Sequence, residues 1–229
     1  MNVEVIKSFL HQIPLFRELS DEELDAIVNI TQLRKYRQRM LVFMQGDPLD
    51  RVFFIHSGKL KIYKTDLNGK EQIVSILQNG EMFPHVGFFR QGTFPAHAEI
   101  IEDANLFVIS IKDFEKMLLQ YPDVSIKLFR VMGEKIIDLQ NQLEEKILHN
   151  TYEQIILLLI RLGKKHGVIA EGGFVQLTTQ FTNRELANMI GSTRETINRT
   201  LNQFKKNNML KENEQGFLIH VEKLKEELF

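Results

Sequence analysis

Between Thr182 and Phe204 the sequence reads TNRELANMIGSTRETINRTLNQF, and its second half is rich in side chains that can read nucleic-acid bases. Advancing about 100° per residue sets Arg194, Glu195, Asn198, Arg199 and Asn202 on one side of a helix. Thr196, Ile197, Thr200, Leu201 and Phe204 then fall on the other. Arg pairs in a bidentate way with guanine O6 and N7, Glu accepts from cytosine N4, and Asn brackets adenine. A solvated helix with local Arg and Glu pairs would use the same residue types. What precedes this helix separates the two readings.

Thr182 and Glu185 have the spacing of a capping box, in which the hydroxyl satisfies the Glu185 amide and the carboxylate reaches back to the first residue. That predicts a short helix with Leu186, Ala187, Met189 and Ile190 on its apolar face, ended by Gly191. Ser192 with Glu195 repeats the capping signal at once. Two helices joined by so tight a turn cross steeply, which is helix-turn-helix geometry. The expected DNA-contacting set is Thr182, Ser192, Thr193, Arg194, Glu195, Asn198, Arg199 and Lys205, the last on a phosphate. Double-stranded DNA is the expected partner.

Arg194, Glu195, Thr196, Ile197, Asn198 and Arg199 resemble the Arg-Glu-Thr-aliphatic-x-Arg opening of the recognition helix in the cyclic-AMP receptor protein and FNR (Crp/Fnr) family of bacterial transcription regulators. The resemblance implies that Arg194, Glu195 and Arg199 are the main base readers. It also implies an N-terminal β-roll, a long dimerisation helix and a partnership with RNA polymerase.

The chain has 229 residues, 43% hydrophobic, which is enough for one large domain or two ordinary ones. Net charge is only -1, so a nucleic-acid footprint has to be local. Within residues 182–206 five basic residues face two acidic ones, a local balance of +3. The absence of cysteine excludes disulfides, thiol nucleophiles and cysteine-ligated iron-sulfur clusters. The start MNVEVIKSF lacks the features of a signal peptide, and Ile155–Ile160 is too short to span a bilayer, so a cytoplasmic protein without a membrane partner is expected.

From Val3 to Ile30 the pattern predicts two short helices, the second opened by a Ser20–Glu23 capping box. Leu15, Phe16, Leu19 and Ser20 resemble the entry to a cyclic-nucleotide-binding fold. From Met40 the runs LVFM, RVFFIH, KLKIYK and EQIVSIL predict strands separated by turns at Gly46, Gly58, Gly69 and Gly80, spaced by 12, 11 and 11 residues. Asn68-Gly69 is the strongest hairpin signal. Strands are expected again at His97–Ile101 and Leu106–Ile111. The fold class is therefore α+β: a jelly-roll domain over 1–120, a dimerisation helix over 121–149 and a winged helix-turn-helix over 150–229.

Met132, Ile136, Leu139, Leu143 and Ile147 recur at spacings of 4, 3, 4 and 4, close to a heptad seam, and predict a parallel homodimer. Phe129 and Ile137 are left to face inward. After a buried helix over 150–162, Gly163, Gly167 and Gly172-Gly173 are expected to break the chain before a hairpin. Gln215-Gly216 marks a second hairpin around Met209–Val221.

By the resemblance, a ligand pocket falls in Gly80–Glu99, with Phe83, His85, Phe88, Arg90, Phe94 and His97 as candidate lining. Where nucleotide-binding members carry Gly-Glu for the ribose and Arg followed by Ser or Thr for the phosphate, this chain has Pro84-His85 and Pro95-Ala96. Control by cyclic AMP is not expected, and an unidentified effector or none remains open. His85, His97 and Glu99 also raise a metal or haem site, and with it a metal-dependent enzyme on a cupin-like roll. Histidines without a close ligand cluster favour the structural reading, so neither a cofactor nor a metal is expected.

Overall fold

The structure, a computed structural model, describes residues 3–13, 15–17, 19–89 and 91–228. The chain divides into two compact units, Met1–Ile137 and Asp138–Phe229.

The first unit opens with α1 (Val3–Leu10) and α2 (Asp21–Ile30). Ser20 caps α2 in the expected box, accepting from the Glu23 amide while the Glu23 carboxylate accepts from the Ser20 amide at 2.7 Å. Six strands follow: β1 (Gln32–Tyr36), β2 (Leu41–Phe43), β3 (Arg51–Thr65), β4 (Glu71–Gln78), β5 (Met82–Phe83) and β6 (His97–Ser110). They form an antiparallel sheet in the order β1-β6-β3-β4, with β2 on β6 and β5 on β3. The unit ends in α3 (Ile111–Gln120) and the greater part of α4 (Pro122–Leu148).

Over residues 52–55 and 106–109 the two central strands are buried on both faces, which is why those stretches read as continuous apolar runs. Along β3 and β6, Val52, Phe54, Phe107 and Ile109 enter a cluster with Phe9, Phe16, Leu24 and Ile27 of the first helical segments and Phe114 and Leu128 of α3 and α4. The alternate residues Phe53, Ile55, Leu106 and Val108 enter a second cluster inside the roll with Phe43, Phe83, Phe94, Ala98 and Ile100. A period of two thus sends one strand into two cores.

Several expectations are corrected here. Gly58 ends no strand: RVFFIH and KLKIYK are one 15-residue β3, and Gly58 sits with φ 89° at irregularities in its register with β6. A Cβ there would lie 2.3 Å from the Asp103 carbonyl, so glycine lets the strand bend against its neighbour without ending. The strands expected at His97–Ile101 and Leu106–Ile111 are likewise one 14-residue β6, and Ile111 begins α3. β1 was not expected, because Arg34, Lys35 and the other exposed residues of this edge strand obscure the alternation. The Asn68-Gly69 hairpin is present, with the Asp66 carboxylate accepting from the Asn68 and Lys70 amides.

On α4, Val124 and Leu128 are buried and Met132 packs partly against the helix-side cluster. Phe129 and Ile137, expected to face inward, are 74% and 57% exposed. Ile136, Leu139, Leu143 and Ile147 are exposed as well.

The second unit contains the last turns of α4, then α5 (Thr151–His166), β7 (Gly167–Ile169), β8 (Phe174–Leu177), α6 (Asn183–Ile190), α7 (Arg194–Lys206), β9 (Leu210–Asn213), β10 (Gly216–His220) and α8 (Val221–Glu226). Asn150 opens α5 with its own capping box to Glu153. Gly163 breaks nothing. It lies within α5, where a Cβ would meet Ile219 Cδ1 at 2.6 Å, so it lets helix and wing approach. The wing is a four-stranded antiparallel sheet, β7-β8-β10-β9, containing both expected hairpins. Among the described residues no helix is long and apolar enough to cross a membrane.

Candidate nucleic-acid interface

The reading surface is built from two helix ends three residues apart. Thr182 caps α6: its hydroxyl accepts from the Glu185 amide at 3.2 Å, and the Glu185 carboxylate accepts from the Thr182 amide at 2.8 Å. At the other end Gly191 takes the left-handed conformation, φ 68° and ψ 32°. The amides of Gly191 and Ser192 both donate to the Ala187 carbonyl, the pattern that closes a helix on a left-handed residue.

The next helix begins one residue later than the Ser192–Glu195 signal indicates. Thr193 is the cap, its Oγ1 accepting from the Thr196 amide at 3.1 Å. Ser192 is used in closing α6, so its amide is turned toward Ala187 and its side chain does not cap α7. The shift puts Arg194 and Glu195 at the first two helical positions of α7, where the carboxylate faces the positive end of the helix dipole.

From there the two faces of α7 separate as expected. Ile197, Thr200, Leu201 and Phe204 are buried, while Arg194, Glu195, Asn198, Arg199 and Asn202 are exposed. Phe204 is fully buried, with Tyr152 of α5 edge-on at 5.3 Å. Burial, together with donation to Glu227 at 3.0 Å, pushes the Tyr152 hydroxyl up to about 12, so this anchor stays a neutral donor. Glu195, Asn198, Arg199, Asn202, Gln203, Lys206 and Asn207 line one shallow concavity along the outer face.

The expected contacts are not equally free. Arg194 and Arg199 have no ion-pair partner among the described residues. Asn198 accepts from Asn183 Nδ2 at 3.2 Å, which ties α7 to the start of α6. Lys205 pairs with Glu212 of β9, on a surface where such pairs contribute little. The sequence reading passed over Asn202 and Lys206 as DNA contacts, although both follow Arg199 at helical spacing and stand exposed on the same concavity.

Of the residues expected to line an effector pocket, Phe83 and Phe94 share one cluster while Phe88 and His97 stand elsewhere. Phe83 and Phe94 lie inside the roll, Phe94 stacked on Phe43 at 3.7 Å and Phe83 on Phe53 at 5.0 Å. Phe88 belongs to the other core, 5.3 Å from Phe114. His97 alternates with the inward Ala98 and so stands on the outer face of β6, stacked on Tyr63 at 4.9 Å and accepting from the Gln45 amide at 3.2 Å. His85 is partly buried, and Arg90 lies outside the described residues. Glu99, which the sequence sets beside His97, pairs with Lys61 at 3.1 Å. Among the described residues no group of three or more His, Asp or Glu side chains could hold a metal ion.

A capped two-helix motif with a bare polar face, carried on a wing and preceded by a β-roll, defines a DNA-binding regulator with an attached β-roll domain. Residues 33–121 match the cyclic nucleotide-binding domain and residues 153–227 the Crp-like helix-turn-helix domain. The chain belongs to the Crp/Fnr family of transcription regulators. It is 26% identical over 190 residues to the CRP-like cAMP-activated global transcriptional regulator of Mycobacterium tuberculosis, covering 83% of this chain and 84% of that protein. It is 27% identical over 188 residues to the cyclic AMP receptor protein of Thermus thermophilus, covering 82% and 83%. Its fold resembles that of a CooA mutant from Carboxydothermus hydrogenoformans, with a TM-score of 0.73, 22% identity, and 87% and 88% of the two chains covered. These relatives are regulators, and the reading as a metal-dependent enzyme on a cupin-like roll is set aside.

The displaced cap gives a direct test. Thr193→Ala should destabilise the DNA-binding unit by about 1 kcal/mol, whereas Ser192→Ala should change it by less than about 0.5 kcal/mol. Chemical denaturation followed by circular dichroism measures both, and equal losses would return the cap to Ser192.

Proposed function

We propose that the protein binds a pseudo-palindromic operator as a homodimer, α4 forming the subunit contact and α7 entering the major groove. The observation that carries this reading is the pair of exposed guanidinium groups, Arg194 and Arg199, without an ion-pair partner among the described residues, on a helix whose other face buries Ile197, Thr200, Leu201 and Phe204. In this reading Arg194, Glu195, Arg199 and Asn198 meet base edges, while Thr182, Ser192, Thr193 and Lys205 meet the backbone. The functional division is a roll over 1–120, a dimer arm over 121–149 and a reader over 150–229. A promoter-bound dimer would present its surface to RNA polymerase, the partner that the family resemblance implies.

Arg194→Ala and Arg199→Ala should each cost about 1 to 3 kcal/mol of operator binding and relax preference at particular base pairs. Lys205→Ala should weaken all sequences alike. Competition binding with single-base operator variants distinguishes the two patterns, and equal loss on operator and random DNA would remove the base-contact assignment.

The seam supports the dimer through exposed Ile136, Leu139, Leu143 and Ile147 on one long helix. A double change, Leu139→Glu with Leu143→Glu, should leave monomers in sedimentation at micromolar concentration, with operator affinity reduced at least about a hundredfold. A wild-type monomer under the same conditions contradicts the seam.

Two of the relatives named above are a cAMP-activated regulator and a cyclic AMP receptor protein, which makes cyclic AMP the ligand to examine. We read the roll here as unsuited to it. A buried phosphate needs a charged partner and hydrogen bonds, and Pro95 holds the position where the family carries its phosphate-binding arginine. Phe43, Phe53, Phe83 and Phe94 meanwhile fill the interior of the roll. Calorimetric titration with cyclic AMP should give no binding at micromolar concentration. One micromolar site per subunit, lost in Arg90→Ala, would make Arg90 the substitute clamp and reverse this reading.

A further inference from the structure

A lysine side chain bonds the helix-turn-helix to the end of α4. Lys146, on the last turn of α4, donates from Nζ to the carbonyl of Ile190, the last residue of α6, at 2.7 Å. It also donates to Gln154 Oε1 of α5 at 3.2 Å. Gln154 is buried and donates in return from Nε2 to the carbonyls of His149, at 2.6 Å, and Lys146, at 3.4 Å. These bonds close a node where α4 ends, α5 begins and α6 ends. The neighbouring Glu145 pairs with Arg161 of α5.

The last carbonyls of a helix have no partner within it. In α6 the Ala187 carbonyl is met by the motif's own amides, whereas Ile190 is met from outside by a cation that also complements the negative end of the helix dipole. Turning the end of α4 about its axis would break this bond and both Gln154 bonds together. The same turn carries Leu143 and Ile147, both exposed. One helix end therefore holds the turn before α7 with Lys146 and presents seam residues outward.

We infer that Lys146 is a positioning residue for operator spacing: it sets the angle between the dimer helix and the recognition turn, and hence the separation of the two recognition helices. The inference rests on the reading of α4 as the dimer helix and α7 as the reader. Core packing of α7 alone would place each recognition helix within its own unit. The Lys146–Ile190 bond ties it to the element that the partner subunit grips.

The experiment first selects an operator from random duplexes with the wild-type protein. Affinities are then measured for that operator, for a version with one base pair inserted between half-sites, and for an isolated half-site. The insertion displaces the half-sites by about 3.4 Å and rotates them by about 35°. Lys146→Met should keep half-site affinity within about twofold, while its preference for native over inserted spacing falls about tenfold, the loss expected for one charge-assisted bond. Lys146→Arg, which retains a cationic donor, should restore most of the preference. Lys146→Gln serves as the truncation if Lys146→Met fails to fold.

Wild-type spacing preference in the folded variant overturns the inference. So does an equal loss on operator and half-site with a shallower salt dependence, because Lys146 would then be a phosphate contact. A wild-type protein that selects no paired half-sites overturns the reading beneath it, and the inference with it.

Discussion

Two helices have to end and begin within Gly191, Ser192 and Thr193, and the backbone groups exposed by that junction all need partners. An unmet buried amide or carbonyl costs about 1 to 3 kcal/mol, comparable to much of a domain's net stability. The junction meets the requirement with a left-handed glycine, two amides on Ala187, a threonine cap on Thr196 and a lysine on Ile190. Each solution constrains the next. Because Ser192 closes α6, Thr193 has to open α7, and that sets which side chains stand at the first exposed positions. Arg194 and Glu195 occupy the tip of the reading helix as a consequence of backbone hydrogen bonding one turn away.

The roll is governed by a different constraint. Its two long strands supply alternate residues to two cores, so both faces are closed to water over residues 52–55 of β3 and 106–109 of β6. Inside, Phe43 and Phe94 stack almost parallel, and Phe53 stacks on Phe83. Aromatic rings at these separations add about 0.5 to 1.5 kcal/mol per pair beyond their buried area. The interior of a domain related to nucleotide binders is thereby committed to packing at four positions. Of the polar side chains in this region, His97 lies on the outer face against Tyr63.

How much could be read in the sequence follows from the range of the forces involved. The Ser20 and Thr182 boxes form as their spacing indicates because a cap is decided within four residues. The faces of α7 separate as drawn because one helix period decides them. Ser192 and Thr193 are both competent caps, and the choice between them depends on how α6 closes, which lies outside the local signal. Gly58 looks like Gly46, Gly69 and Gly80 in sequence, yet its positive φ serves a bend against Asp103 and Ala104, residues brought there only by the sheet. Phe88 and Phe94 are six residues apart and equally apolar, yet they pack against different cores. The contact from Lys146 to Ile190 spans 44 positions and had no signal that periodicity could detect.

The low overall charge of the chain leaves the proposed dimer arm a part in DNA affinity beside that of the reader. With a net charge of -1 and only a local excess of +3 over residues 182–206, a single subunit can release few counterions from DNA. Glu212 further occupies Lys205, and Asn198 is held by Asn183, so base contacts from one helix start from a small set of free groups. Joining two such readers makes the second half-site encounter intramolecular, at an effective concentration set by how stiffly they are connected. A loose link would give little of that advantage. In the proposed dimer, bonding of the last turn of α4 to α5 and α6 would join two weak half-site contacts into one binding event that depends on spacing as well as on bases.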